Sequence, residues 1–393
     1  MGNLNPNSGF EYEPLDNSRR QIRLLRMTSC LGEHPIHCSI EKGELLSWPD
    51  HPTYNAVSYT WGDPNIDRDQ HILIDGKKFL IRENLYHFLR TLDKDENLFW
   101  IDQISINQSD VHEQNHQVQF MSEIYSFASE VIVWLGPAAD NSPQAMNILE
   151  HNYGVARKIR NGWKPALDAL FQRPYWKRLW VVQEIMLAQS ISLRCGEENI
   201  KWSCLEVFFE TPRALGTKPG AVHFSYDDEE NFDIVVANEA EEIVRARDSG
   251  ERGNAGKLSY VLTAFSEWHC RNPRDKVYGL LGLVNESLRV EIDYQKSVED
   301  ILIDVVRKVI EDEPFMDLDS QIEFAESLRT SLILLDFEIH QLVQLEFERK
   351  LRSKGDVSKL NKKTVDVHSE SDPYESSDSD QYESSDSEME TWS

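Results

Sequence analysis

A chain of 393 residues, 40% hydrophobic and holding ten Trp, has the length for two or three domains and enough apolar material for a large core. Its formal net charge of −27 argues against a general binder of nucleic acid or anionic membrane, because phosphate affinity comes chiefly from Lys and Arg. The charge is partly local: residues 366–393 carry ten acidic groups and residues 219–244 eight, with no Lys or Arg in either stretch, and about −9 remains without them, an ordinary value for a soluble domain. Five Cys without a CxxC pair (Cys30, Cys38, Cys195, Cys204 and Cys270) suit free thiols in a reducing compartment. The first residues lack a signal core and no apolar run reaches membrane-spanning length, so the expected address is the cytoplasm, with no membrane partner.

Residues 1–50 read as a polar leader followed by strands at Gln21–Met27 and within 36–46. The run Y-N-A-V-S-Y-T-W-G at 54–62 is β-branched and aromatic and is stopped by Gly62, Asp63 and Pro64, so a core strand ends at Trp61. Residues 71–76 resemble a hairpin arm, and 81–92 predict a helix with Leu85, Phe88, Leu89 and Leu92 on one face. A short apolar run at 98–102 ends in Asp102, and a loop at 105–108 precedes a helix that Asp110 caps, with Glu113 three residues on and Val118, Met121, Tyr125 and Ala128 at helical spacing. Residues 131–135 (V-I-V-W-L) form a buried strand halted by Gly136 and Pro137, and 145–160 predict a helix.

Residues 174–188, P-Y-W-K-R-L-W-V-V-Q-E-I-M-L-A, predict one nearly buried helix with Pro174 in its first turn. A carboxylate there must find a partner or a proton. Two readings stand for Glu184: a structural acid paired with Arg173 or Arg178, or a functional carboxylate sharing a face with Trp180, four residues earlier. A strand follows at Ile191–Cys195.

Strands alternating with helices over 51–214 predict an α/β fold with a mostly parallel central sheet flanked by helices. Residues 215–256 read as an acidic flexible insertion, 257–352 as a trailing block and helices, and 353–393 as a disordered acidic tail repeating Y-E-S-S-D-S. Within the helical C-terminal extension, 324–351 predict one long helix with a short coiled-coil-like stripe.

Several chemistries fail on spacing. Asp63, Asn65 and Asp67 start like a calcium loop, but Arg68 replaces the turn Gly and Ile74 the final Glu. Cys30, His34, His37 and Cys38 have no usual zinc-finger order, so no metal is expected. No P-loop, GxSxG or GxGxxG motif occurs. In open parallel sheets ligands bind beyond the carboxyl ends of the strands. Thr60, Trp61, Gly62 and Asp63, then Asp102 and Gln103, then Gly136 are sent there, able to hold a ring and a sugar or simply to cap strand ends.

Y-N-A-V-S-Y-T-W-G-D at Tyr54, F-W-I-D-Q-I-S-I-N-Q at Phe99, M-S-E-I-Y-S-F-A-S-E-V-I-V-W-L-G at Met121, R-P-Y-W-K-R-L-W-V-V-Q-E at Arg173 and R-D-K-V-Y-G-L-L-G-L at Arg274 resemble, in order, the blocks of the fungal heterokaryon-incompatibility (HET) domain. Ser105 and Gln114 depart from the family's usual Cys and Arg, which makes a thiol mechanism implausible and weakens an expected helix-start ion pair. The resemblance implies self/non-self recognition, programmed cell death on activation, and partners that are either further copies of this chain or other incompatibility proteins. It also implies a core resembling that of Toll/interleukin-1-receptor (TIR) domains, which is flavodoxin-like and in some members cleaves NAD. On that likeness Glu184 is the catalytic carboxylate, Thr60, Trp61, Gly62, Asp102, Gln103 and Trp180 contact substrate, and NAD is a substrate rather than a cofactor. A non-catalytic signalling module and an inactive paralogue are the alternatives.

Overall fold

The computed structural model describes residues 9–16, 18–29, 31–45, 52–62, 68–94, 97–151, 164–214, 222–224, 232–234, 238–248, 256–313, 316–334 and 337–353. Nine of its strands share one sheet: β1 (Gln21–Met27), β2 (His37–Glu44), β3 (Asn55–Tyr59), β4 (Gln70–Ile74), β5 (Lys77–Ile81), β6 (Leu98–Trp100), β7 (Glu130–Trp134), β8 (Ile191–Cys195) and β9 (Glu198–Lys201). Their spatial order is β5-β4-β2-β1-β6-β3-β7-β8-β9.

The fold is α/β, but the sheet is mixed rather than mostly parallel. β6, β3, β7 and β8 run parallel and are joined by helical crossovers. β2 with β4 is also parallel, whereas β4–β5, β1–β2, β1–β6 and β8–β9 are antiparallel. The reason is connection length: a two-residue turn permits only antiparallel pairing. Asp75 and Gly76, both at positive φ, make such a turn between β4 and β5. Gly196 and Glu197 do the same between β8 and β9. Taken in chain order, the parallel quartet lies second, first, third, fourth across the sheet.

Alternation sends each central strand's side chains into two cores. Ala56, Val131 and Val133 join one, with the helices of the C-terminal half; Val57, Tyr59, Ile132 and Trp134 join the other. Ser58 falls between Val57 and Tyr59, on the face of Ala56, and is fully buried.

Asp110 caps the helix Val111–Gln119 as expected, accepting from the backbone N–H groups of His112 and Glu113. Glu113 does not close a reciprocal box; its carboxylate is held by both Arg23 Nη atoms, at 2.6 and 2.9 Å, and by Asn107 N–H. The helix pauses at Phe120 before Met121–Phe127. The helix expected at 145–160 is Ser142–His151, its remainder outside the described residues; so are 63–67, with the calcium-loop positions Asp63, Asn65 and Asp67, and 354–393, with the acidic tail.

Three expectations are corrected. Residues 174–188 are not one helix: Pro174–Lys177 is a 3₁₀ turn, Arg178 is extended, and the α-helix is Trp180–Leu187. The break comes from His269, whose N–H donates to Lys177 O at 2.7 Å and whose carbonyl accepts from Leu179 N–H at 2.8 Å. The stretch expected as an acidic insertion includes the helix Asn238–Asp248, which buries Ala240, Ile243 and Val244; Arg247 donates to the carbonyls of Ile185 and Ala188 and so caps the end of Trp180–Leu187. Residues 324–351 are two helices, Leu318–Ser331 and Ile339–Ser353, because Ile333 turns the chain at φ 61°.

The chain divides into two units, 1–343 and 344–393; the second is described over 344–353, all helical. No described helix is long and apolar enough to cross a membrane. Cys38, Cys195, Cys204 and Cys270 are free thiols.

Candidate functional site

The carboxyl ends of β3 and β6 carry a polar cluster that the helix Trp180–Leu187 closes from one side. Glu184, 2% exposed, accepts a short hydrogen bond from Ser58 Oγ. With the single Ser58 proton so committed, the Tyr175 hydroxyl donates to Ser58 Oγ at 2.7 Å, and the Tyr125 hydroxyl also bonds the Glu184 carboxyl. Burial pushes Glu184 up to about 7, against the pull of Arg178 and of the Ser58 and Tyr125 hydrogen bonds. Burial likewise holds the Tyr59, Tyr125 and Tyr175 hydroxyls far above their ordinary range, so they remain neutral.

Arg178 is the hub. Its extended backbone aims the guanidinium at the strand end, where it donates to Tyr59 O. It faces Asp102, Glu184 and Asp275. Asp102 accepts from Trp61 Nε1 and from Gln103 N–H, each at 2.7 Å, and burial raises its carboxyl. Asp275 is raised by burial and accepts from Tyr294 Oη at 2.6 Å and from the Trp180 indole. Arg173, the other expected partner for Glu184, instead donates to the carbonyls of Leu135 and Pro137, where Gly136 at φ 107° turns the chain beside it.

Of the residues expected at the crevice, Trp61, Asp102, Trp180 and Glu184 are drawn around Arg178. Trp180 turns its indole to Asp275 rather than to Glu184. Thr60 contributes its carbonyl, which accepts from Asn84 Nδ2 at 2.6 Å, and Gly62, exposed at φ 78°, carries the chain away. Gln103 is fully buried; its Oε1 accepts from Arg82 N–H and the Tyr59 hydroxyl, and its Nε2 has no partner. Ser105 is also buried, its Oγ accepting from Ile101 N–H. Ser58, Tyr125, Tyr175, Asp275 and Tyr294 escape the sequence reading; one signal for Ser58 is a hydroxyl at an inward position of an otherwise apolar strand.

Two hollows lie elsewhere. One of about 340 Å³ at the ends of β7 and β8 is lined by His87, Arg90, Trp134, Gly196 and Glu198 among others; an apolar one of about 150 Å³ is lined by Met186, Tyr260, Phe265 and Trp268. Neither includes Glu184 or Asp102. Among the described residues no His, Cys, Asp and Glu side chains are grouped to hold a metal.

Residues 54–184 match the family model described as heterokaryon incompatibility protein (HET), a span that ends on Glu184. The chain is 28% identical over 261 residues to "Heterokaryon incompatibility protein 6, OR allele" of Neurospora crassa. That alignment covers 52% of this chain and 38% of the relative, so this chain spans well under two thirds of the relative's length. No solved structure matches the chain.

Proposed function

Because the chain is a HET-domain protein, we propose that it acts in heterokaryon incompatibility as a cytoplasmic effector that triggers cell death, by cleaving the ribose–nicotinamide bond of NAD around Glu184. The observation that carries the chemical reading is the convergence of Glu184, Asp102 and Arg178 at the carboxyl ends of parallel strands, beside Trp61. The order of the parallel quartet, second-first-third-fourth, supports a flavodoxin-like and TIR-like core, in which ligands bind at such ends. Breaking the bond develops positive charge on the ribose, and an ionised Glu184 would offset it as a carboxylate does in glycoside hydrolysis. The elevated affinity of Glu184 for a proton means that the charged form gains ground only as pH rises through about 7. Self-association or another incompatibility protein would open the helix Trp180–Leu187 and admit substrate.

A second reading, a non-catalytic signalling module acting through protein–protein association, is favoured by the 2% exposure of Glu184 and its internal hydrogen bonds. Purified chain fused to an oligomeriser, with and without Glu184→Gln, separates the two. The enzymatic reading expects NAD loss in the parent and at least a hundredfold less in the variant; no loss, or equal loss in both, overturns it. Cell death that persists in fungal cells expressing folded Glu184→Gln selects the signalling module.

A further inference from the structure

Asp275 lies beyond the matched span, in the block R-D-K-V-Y-G-L-L-G-L, yet its carboxyl belongs to the same cluster as Glu184. It accepts from Tyr294 Oη and from the Trp180 indole and faces Arg178, which also faces Asp102 and Glu184. One guanidinium thus acts through its field on three carboxyls drawn from three separated stretches of chain. Arg274 also faces Asp275, and the Cys270 thiol lies within its field.

The backbone is shaped for this approach. A Cβ on Gly279 would lie 2.9 Å from Asp275 O and 3.5 Å from Trp180 Cδ2, and Gly282 N–H donates to Gln183 Oε1 at 3.0 Å, one residue before Glu184. His269 pairs its backbone on both sides of Arg178. The trailing block therefore holds the two residues that Asp275 touches or faces, Trp180 and Arg178, as well as the helix that carries Glu184.

We propose that Asp275 is a positioning residue of the Glu184 site, fixing the Trp180 indole and setting how much of the Arg178 charge reaches Glu184, so that the functional unit extends to at least Tyr294. The proposal rests on reading Glu184 as functional. Removing the Asp275 charge leaves Arg178 less neutralised, so Glu184, which also faces Asp102, Ser58, Tyr125 and Tyr175, gives up its proton at lower pH.

The test uses the full-length chain and Asp275→Asn, each with and without Glu184→Gln. The midpoint of the pH-dependent stability difference between each protein and its Glu184→Gln counterpart reports the Glu184 proton. In Asp275→Asn it should fall by about one pH unit, and the pH profile of NAD loss by the oligomerised protein should move to lower pH with it. A midpoint that stays at the parent value in folded Asp275→Asn overturns the proposal, whatever the change in overall stability. Should Asp275→Asn fail to fold, Asp275→Ser, which removes the same charge with a smaller polar side chain, must lower the midpoint in the same direction or the proposal fails. Parent protein without NAD turnover retires the enzymatic reading alone, and the midpoint still decides the role of Asp275.

Discussion

Ser58 and Glu184, 126 residues apart in the chain, meet in a short hydrogen bond that joins a central parallel strand to the helix closing over its end. The strand supplies a hydroxyl where its neighbours on that face are apolar, and the helix supplies a carboxyl that the surrounding protein does not ionise readily. The bond ties the state of one proton to the stability of the contact.

That coupling has a sign. Glu184 holds its proton more tightly folded than unfolded, so between about pH 4.5 and 7 the unfolded chain ionises while the folded chain does not. Folding stability therefore falls as pH rises through this window. Glu184→Gln, which carries no titrating proton, should escape this loss, and the parent should lose on the order of 3 kcal/mol relative to it. Denaturant titrations of both proteins at pH 4.5 and pH 8 measure the difference, and equal pH dependence in the two would show that Glu184 is not held neutral.

The Arg23–Glu113 pair has side chains 2% and 8% exposed. Breaking it from either side leaves a buried charge without its partner, at a cost of about 3–5 kcal/mol. Arg23→Met and Glu113→Leu should each destabilise by that amount, and the double variant by clearly less than their sum. A double-mutant cycle read by urea unfolding checks this; simple additivity would mean that the two groups do not interact.

Gly282 tests the fit of the trailing block. A Cβ there would lie 2.5 Å from Gln183 Oε1 and 2.7 Å from Ser122 Cβ, neither of which can retreat without cost. Gly282→Ala should lose about 1–3 kcal/mol, seen as a lower thermal midpoint. Gly62→Ala is the useful contrast: no atom crowds its Cβ position, and its φ of 78° alone carries a penalty, on the order of 1 kcal/mol.

The strands β3 and β7 and the hairpin of β4 were legible because local chemistry decides them: β-branched and aromatic runs bounded by Gly, Pro or Asp-Gly. Asp110 announced its helix for the same reason. Strand direction is a relation between distant segments that periodicity does not encode, which is why a mixed sheet read as mostly parallel. The helices broken at Arg178 and Ile333 read as continuous because what interrupts them, pairing with His269 in one case and a left-handed turn in the other, leaves the apolar spacing intact. Glu184 stood out as an acid among apolar residues, whereas Asp275 sits in an ordinary polar context and acquires its meaning only from Arg178, Trp180 and Tyr294.

The clasp between Arg23 and Glu113 bears on where this chain can be cut. A fragment trimmed to residues 54–184 would keep Glu113 and discard its only buried cation among the described ion pairs. It would also strip β1 from one side of the parallel quartet and remove β8, the quartet's last strand, leaving β6 and β7 as raw edges open to other chains. Such a piece is expected to aggregate on expression, so an expressed fragment needs β1 and β8 as well as the matched span.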